Sequence, residues 1–325
     1  MARLEDSSRR NGSSGVESRL IAIRFAKRKM PLLQSQPKRT LNGESAHREI
    51  LLKLAGRPAA QKLAQEVYEF YGGFLGYKES EYFPSTIFSI HLRHDPIALE
   101  RAEIQLQLGT ERIPEALVHE LLHLRLPMLG FPLGEIVRIP FSLDPHARDL
   151  LGMCHWVLNL VQHEITYESF MALGFDRDHF LSMPGEIMDY RRMFEEESQH
   201  GGAEGLSFPW WCMEYLRHFF NARHGCDHNS LGQAQEALAW GSRGHPELKQ
   251  NTAEIIRQVE IGAFKDPGQY AGQVNFLLGL MRIPRFISWV MLKLSGPHMP
   301  IALRVGGIGP LRCGTDKVIP VSPRQ

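Results

Sequence analysis

Cysteine is scarce in this chain: four residues in 325, at Cys154, Cys212, Cys226 and Cys313. No two of them form a CxxC pair, which excludes a disulfide framework and the common thiolate zinc modules, and makes a reducing compartment, the cytoplasm, the default. A membrane-spanning apolar run is also lacking. The nearest approach, Asn275 to Leu294, is broken by Arg282, Pro284 and Arg285. It reads as a helical hairpin packed on the core, with an amphipathic segment lying on a membrane surface as the alternative. There is no charge excess: the formal net charge is +1, so the chain as a whole makes no general case for nucleic acid. Internal repeats are absent as well. What is present, 43% hydrophobic and 22% charged residues, suits a globular protein with a substantial core.

The basic charge is concentrated at the start. Residues 1–45 hold ten Lys/Arg against four Asp/Glu, a local net charge of +6. Serine and arginine dominate and periodic apolar residues are few, which predicts a disordered tail. It lacks the apolar core of a secretory signal. Its Arg and Ser content has the flavour of a transit peptide, against which Glu5, Asp6, Glu17 and Glu44 count. Met30 is an alternative start. A basic tail could also bring the protein to nucleic acid.

From about Ala46 the pattern becomes periodic. Leu51, Leu52, Leu54, Leu63, Val67 and Phe70 recur at helical spacing, in one helix or in two broken near Gly56 to Pro58. Two short strands are expected next. In "TIFSIHL" Phe88, Ile90 and Leu92 alternate; in "AEIQLQLG" Ile104, Leu106 and Leu108 alternate with polar residues, and Gly109 ends the run. Pro114 then suits the first turn of a helix running to about Leu126. After a loop rich in proline and glycine, Pro145 opens a second long helix that Gly174 ends. Further helices are expected at Gly185–Glu197, Pro209–Arg223, Leu231–Trp240 and Pro246–Ile261.

The first of the two long helices carries "HELLH", 119 to 123. One helical residue turns about 100°, so His119 and His123 stand one above the other on one face, within reach of a single metal ion. Neutral imidazole is a good ligand for Zn²⁺. Glu120, rotated about 100° away, cannot join that pair but can take a proton from water that the metal acidifies.

A strand, HExxH on a helix, then a second helix bringing a third ligand resembles the zincin metallopeptidase superfamily. The resemblance covers roughly Ser85 to Gly174, less than a third of the chain, and lacks the extended metzincin pattern after His123. It implies one zinc, held by His119 and His123, with Glu120 as general base in peptide hydrolysis. The fold it implies is α+β: a minimal zincin core, with a small mixed or antiparallel sheet, the HExxH helix and the ligand-bearing second helix. The organisation expected is a tail over 1–45, a catalytic core over 46–175 and a helical extension over 176–325.

The third ligand is open between two readings of the second helix. His155, Asn159, His163 and Tyr167 form a polar stripe at i, i+4 steps opposite the apolar face, which nominates His163, with Asn159 and Tyr167 lining the same cleft. Alternatively Glu164 is the ligand and Glu168 orients a ligand histidine, resembling the Glu-zincin arrangement. His146 and His155 are further candidates. Tyr167 is a candidate to hydrogen-bond the oxyanion of hydrolysis.

Other signals are weaker. His224, Cys226 and His228 could form a second metal site, although a polar loop is the plainer reading. "FPWWCMEYLRHFF" suits a core or partner groove, and "FEEES" a solvated helix end. The partner expected is a peptide or protein substrate, which could pair with the edge of the strand Glu103–Leu108. A non-catalytic protein stabilised by a closed zinc site is the reading from a different class.

Overall fold

The computed structural model describes residues 42–81, 86–94, 97–109, 112–136, 145–181, 187–199, 208–224, 229–284, 287–294 and 300–307. The tail expectation therefore lies outside the described residues up to 41, and from Asn42 the chain is already helical. Residues 41–325 form one compact unit.

The architecture is α+β. Two helices lead: α1 (Asn42–Ala55) and α2 (Pro58–Tyr71). Gly56, at φ 71°, turns the chain between them, and Pro58 occupies the first turn of α2, where a missing N–H costs nothing. Three strands follow: β1 (Leu75–Ser80), β2 (Ile87–His94) and β3 (Ile97–Gln107). They form a mixed sheet in the order β1-β3-β2, with β1 parallel and β2 antiparallel to β3. The helix α3 (Ile113–Met128) packs against this sheet and holds HELLH. After β4 (Leu133–Ile136) comes α4 (Pro145–Ala172), ended by Gly174 at φ 85°.

The remainder is helical as far as α9: α5 (Tyr190–Gln199), α6 (Phe208–His224), α7 (Ser230–Gly244), α8 (Leu248–Glu260) and α9 (Pro267–Leu280). The chain then returns as β5 (Ile287–Leu294) and β6 (Pro300–Gly307), which form an antiparallel sheet with β4 in the order β4-β5-β6.

Two expectations are corrected here. The hairpin expected over Asn275–Leu294 is half helix and half strand. The chain leaves α9 through Arg282, at φ 57°, and the second half becomes the central strand of the second sheet. Ile287 to Val290 are buried in succession, so this run lacks the alternation that would reveal a strand in sequence. The strand carrying Glu103–Leu108 is not an edge either: β3 is paired on both sides. Its polar positions misled because Glu103 is itself buried, bonded to Lys78 at 3.0 Å and to Arg101 at 3.4 Å. The edge beside α3 belongs to β2.

Apolar side chains gather in two cores. One joins the first sheet, α1, α2 and α3 with Phe170, Phe175 and Phe180 beyond them. The other joins α4 to the helices α5 to α9 and Trp289 of β5. The long α4 contributes to both, Val157 and Val161 to the second and Phe170 to the first. β5 and β6 return Val290, Leu292 and Ala302 to the first core, so the two halves of the chain share their packing.

Candidate metal centre

Leu117, Val118, Leu121, Leu122 and Leu124 anchor α3 in the first core. The rest of the helix surface is not left to water. Glu120 and His123 are buried and His119 half-buried, because the face that carries them is covered by α4 and β2. On α4 the apolar set Cys154, Val157, Leu158 and Val161 locks the helix's rotation against the second core. That rotation aims His163 at α3.

The three rings meet. His119 Nε2 lies 3.1 Å from His123 Nε2 and 3.1 Å from His163 Nε2. The ring centroids are 4.8, 4.8 and 5.1 Å apart. Nitrogens bound tetrahedrally to zinc at 2.0–2.1 Å sit about 3.3 Å from one another, so this spacing fits the ion. Among the described residues these three form the group of His, Cys, Asp or Glu side chains able to hold a metal.

The electrostatics also suit a cation. Burial lowers the His119 pKa to about 4, weakly opposed by the Phe180 backbone. Burial, then repulsion from the neighbouring rings, holds His123 and His163 well below the ordinary imidazole value. All three rings are therefore neutral at pH 7, the state in which imidazole ligates a metal. Glu120 sits beside them. Its Oε2 accepts the Phe88 backbone N–H at 3.0 Å, and Phe88 stacks on the His123 ring at 4.9 Å. Burial pushes the Glu120 carboxyl up to about 8, with the Phe88 hydrogen bond pulling the other way.

The other nominated residues lie elsewhere. Glu164 turns away from the trio: its Oε1 is 2.7 Å from His224 Nε2 and its Oε2 3.6 Å from Arg223. Glu168 is exposed and paired with Lys265 at 2.7 Å, so it orients no histidine. Asn159 and His155 are exposed, one and two turns back along α4, and the side chain of His146 is outside the described residues. Tyr167 packs on Phe180 and His224, with centroids 5.1 and 4.5 Å away. Together with Glu164, Glu168, Arg223, His224 and Lys265 it lines a cleft of about 430 Å³ next to the trio.

Two contributors escaped the sequence and a third was misplaced by it. Gln162 Oε1 accepts from His123 Nδ1 at 2.9 Å, and nothing in the sequence marks that glutamine. Phe180 packs on His119, His163, Tyr167 and His224, covering one side of the trio. His224 belongs to the end of α6 rather than to a polar loop, and is buried. Its spacing four residues after buried Phe220 is the signal that could have found it. Cys226 and His228, its partners in the second-site idea, are outside the described residues. No family model, curated protein or solved structure matches the chain.

Proposed function

We propose that this protein is a zinc-dependent hydrolase of peptide bonds, a zincin-like metallopeptidase. His119, His123 and His163 would hold the metal, with Glu120 as general base. The observation that carries the reading is the convergence of three neutral imidazole nitrogens beside a buried carboxylate, a donor set of the kind catalytic zinc uses with one position left open. Bound there, zinc would acidify water and polarise a carbonyl. The protein's own part is to hold and move protons. A cation held beside Glu120 would favour its ionised form, the form that acts as base, while its buried surroundings would favour keeping the proton it takes until that proton passes to the leaving amine. The neighbouring edge strand β2, whose Phe88 already contacts His123 and Glu120, offers backbone groups to an extended peptide. Tyr167, one turn beyond His163 on the cleft wall, is the side chain proposed to steady the developing oxyanion. The scarcity of cysteine and the lack of any CxxC pair support a reducing compartment, which we assign as the cytoplasm. Among the described residues no helix is long and apolar enough to cross a membrane.

One observation favours a second reading, a non-catalytic zinc-stabilised protein: Phe180 lies directly on His119 and His163. The two separate in one experiment. Zinc is counted by mass spectrometry on purified protein, and cleavage of unfolded proteins and a peptide library is followed for wild type and Glu120→Gln. One zinc per chain with cleavage lost in Glu120→Gln supports the peptidase. One zinc with no cleavage of any substrate supports the second reading, and a folded protein with no zinc affinity ends both.

A further inference from the structure

The ring of His123 is held from behind by a neutral amide. His123 Nδ1 meets Gln162 Oε1 at 2.9 Å, and Gln162 immediately precedes His163 on α4. An amide oxygen only accepts, so the hydrogen of the neutral ring must sit on Nδ1, which leaves the Nε2 lone pair directed at His119 and His163. The amide itself faces a second buried group. Tyr270 of α9 is 1% exposed, its buried hydroxyl has no hydrogen-bond partner of ordinary geometry, and the Gln162 side chain is the polar group that acts on it. A buried hydroxyl left unpaired is costly, and the Gln162 Nε2–H is the donor that relieves it. Satisfying Tyr270 with the amide nitrogen keeps the amide oxygen turned toward His123.

We infer that Gln162, oriented by Tyr270, is a positioning residue that fixes His123 in the Nδ1–H tautomer and so preforms the metal-binding nitrogen. The inference rests on the metal reading of the three histidines. It gives the helical C-terminal half a part in the centre, because Tyr270 comes from α9 and is packed between Phe131 and Trp289, at 5.5 and 5.7 Å. It also distinguishes this centre chemically. A carboxylate behind a ligand histidine adds negative charge and raises the ring's donor strength, whereas an amide sets the tautomer without adding charge.

The test uses the full chain labelled with ¹⁵N-histidine. Long-range proton–nitrogen spectra of the metal-free protein report the His123 tautomer, and competition titrations report the zinc Kd. Wild type should show Nδ1–H at His123. Gln162→Leu should populate both tautomers and weaken zinc binding about 10–100-fold, the usual cost of losing such a partner. Gln162→Glu, which still accepts from Nδ1, should restore both, and Tyr270→Phe should move the tautomer in the same direction as Gln162→Leu. An Nε2–H tautomer in wild type would overturn the inference without any variant, so a Gln162→Leu protein that fails to fold does not shield it. Wild-type tautomer and Kd in a folded Gln162→Leu would overturn it too. His119→Ala serves as the control for the metal reading: if zinc binding survives it unchanged, that reading fails, and the inference about metal fails with it, while the tautomer of His123 is measured independently.

Discussion

His163 Nε2 stands 3.1 Å from His119 Nε2, across 44 residues of sequence and from a different helix. Two neutral imidazoles so close share at most one hydrogen between their facing nitrogens, and His119 faces His123 at the same distance as well. One proton on His119 Nε2 cannot serve both neighbours. A cation among the three nitrogens resolves that conflict, and acid aggravates it.

Metal content should therefore follow the trio and ignore its neighbour. His119→Ala, His123→Ala and His163→Ala are each expected to lose stoichiometric zinc, measured by mass spectrometry after gel filtration. Glu120→Gln and Glu164→Ala are expected to retain it. A Glu164→Ala protein that folds but holds no zinc would restore the carboxylate as the third ligand.

Acid should destabilise the metal-free protein. His119 is lowered to about 4 in the folded state against 6.5 for the ordinary ring, so between these values the unfolded chain binds the extra proton. Stability is fully present above about pH 6.5 and is lost as pH falls toward 4. Roughly 1–2 kcal/mol should go between pH 7 and pH 5 from His119 alone, and His123 and His163 shift in the same direction. The Glu120 carboxyl, pushed up to about 8, gains stability over the same range and opposes this loss, so thermal melts of chelator-treated Glu120→Gln provide the check; a melting temperature flat from pH 7 to 5 in that variant would contradict the buried neutral trio.

A second polar cluster, away from the trio, is structural. The Tyr190 hydroxyl is 2.8 Å from Glu214 Oε2 and 2.7 Å from His218 Nε2, while Arg217 Nη2 donates to the same carboxylate oxygen at 2.6 Å. Tyr190, Glu214 and His218 are all buried. Glu214→Ala strips the counter-charge from Arg217 and should cost about 3–5 kcal/mol. Tyr190→Phe should cost about 1–3 kcal/mol. Urea unfolding of both variants tests the order, and zinc content should be unchanged in each.

Gly134 of β4 lets the second sheet approach α4 closely. A Cβ there would lie 2.9 Å from both Leu158 methyl carbons and 3.2 Å from Ile287. Gly134→Ala should destabilise the fold by about 1–3 kcal/mol through overpacking, although alanine ordinarily suits a strand no worse than glycine. Urea unfolding gives the value, and an unchanged midpoint would mean that Leu158 yields freely.

Much of this was legible in the chain. Proline announced the starts of α2, α3 and α4 and glycine the end of α4, because their backbone preferences are local, whereas α3 runs on through Pro127 to Met128. The alternation in β2 and β3 was legible too, since half of each strand is polar. The second sheet was not: β4 has four residues, and β5 is buried at four consecutive positions, a pattern that periodicity cannot separate from a buried helix. Gln162 and Tyr270 were illegible for a different reason. They meet across 108 positions, and neither has a local signature.

By itself the sequence determined that His119 and His123 share a face with Glu120 beside them, because helical geometry alone places residues four apart on one side. It also determined that α4 would offer both His163 and Glu164. Adjacent residues differ by about 100° around a helix, so only one of them can face a given neighbour. Tertiary structure made that choice. Cys154, Val157, Leu158 and Val161 bury themselves in the second core and fix the roll of α4, which turns His163 toward α3 and Glu164 toward His224. The deciding force is the burial of an apolar face against helices that lie as much as a hundred and more residues further along the chain, and a local pattern holds no information about that contact.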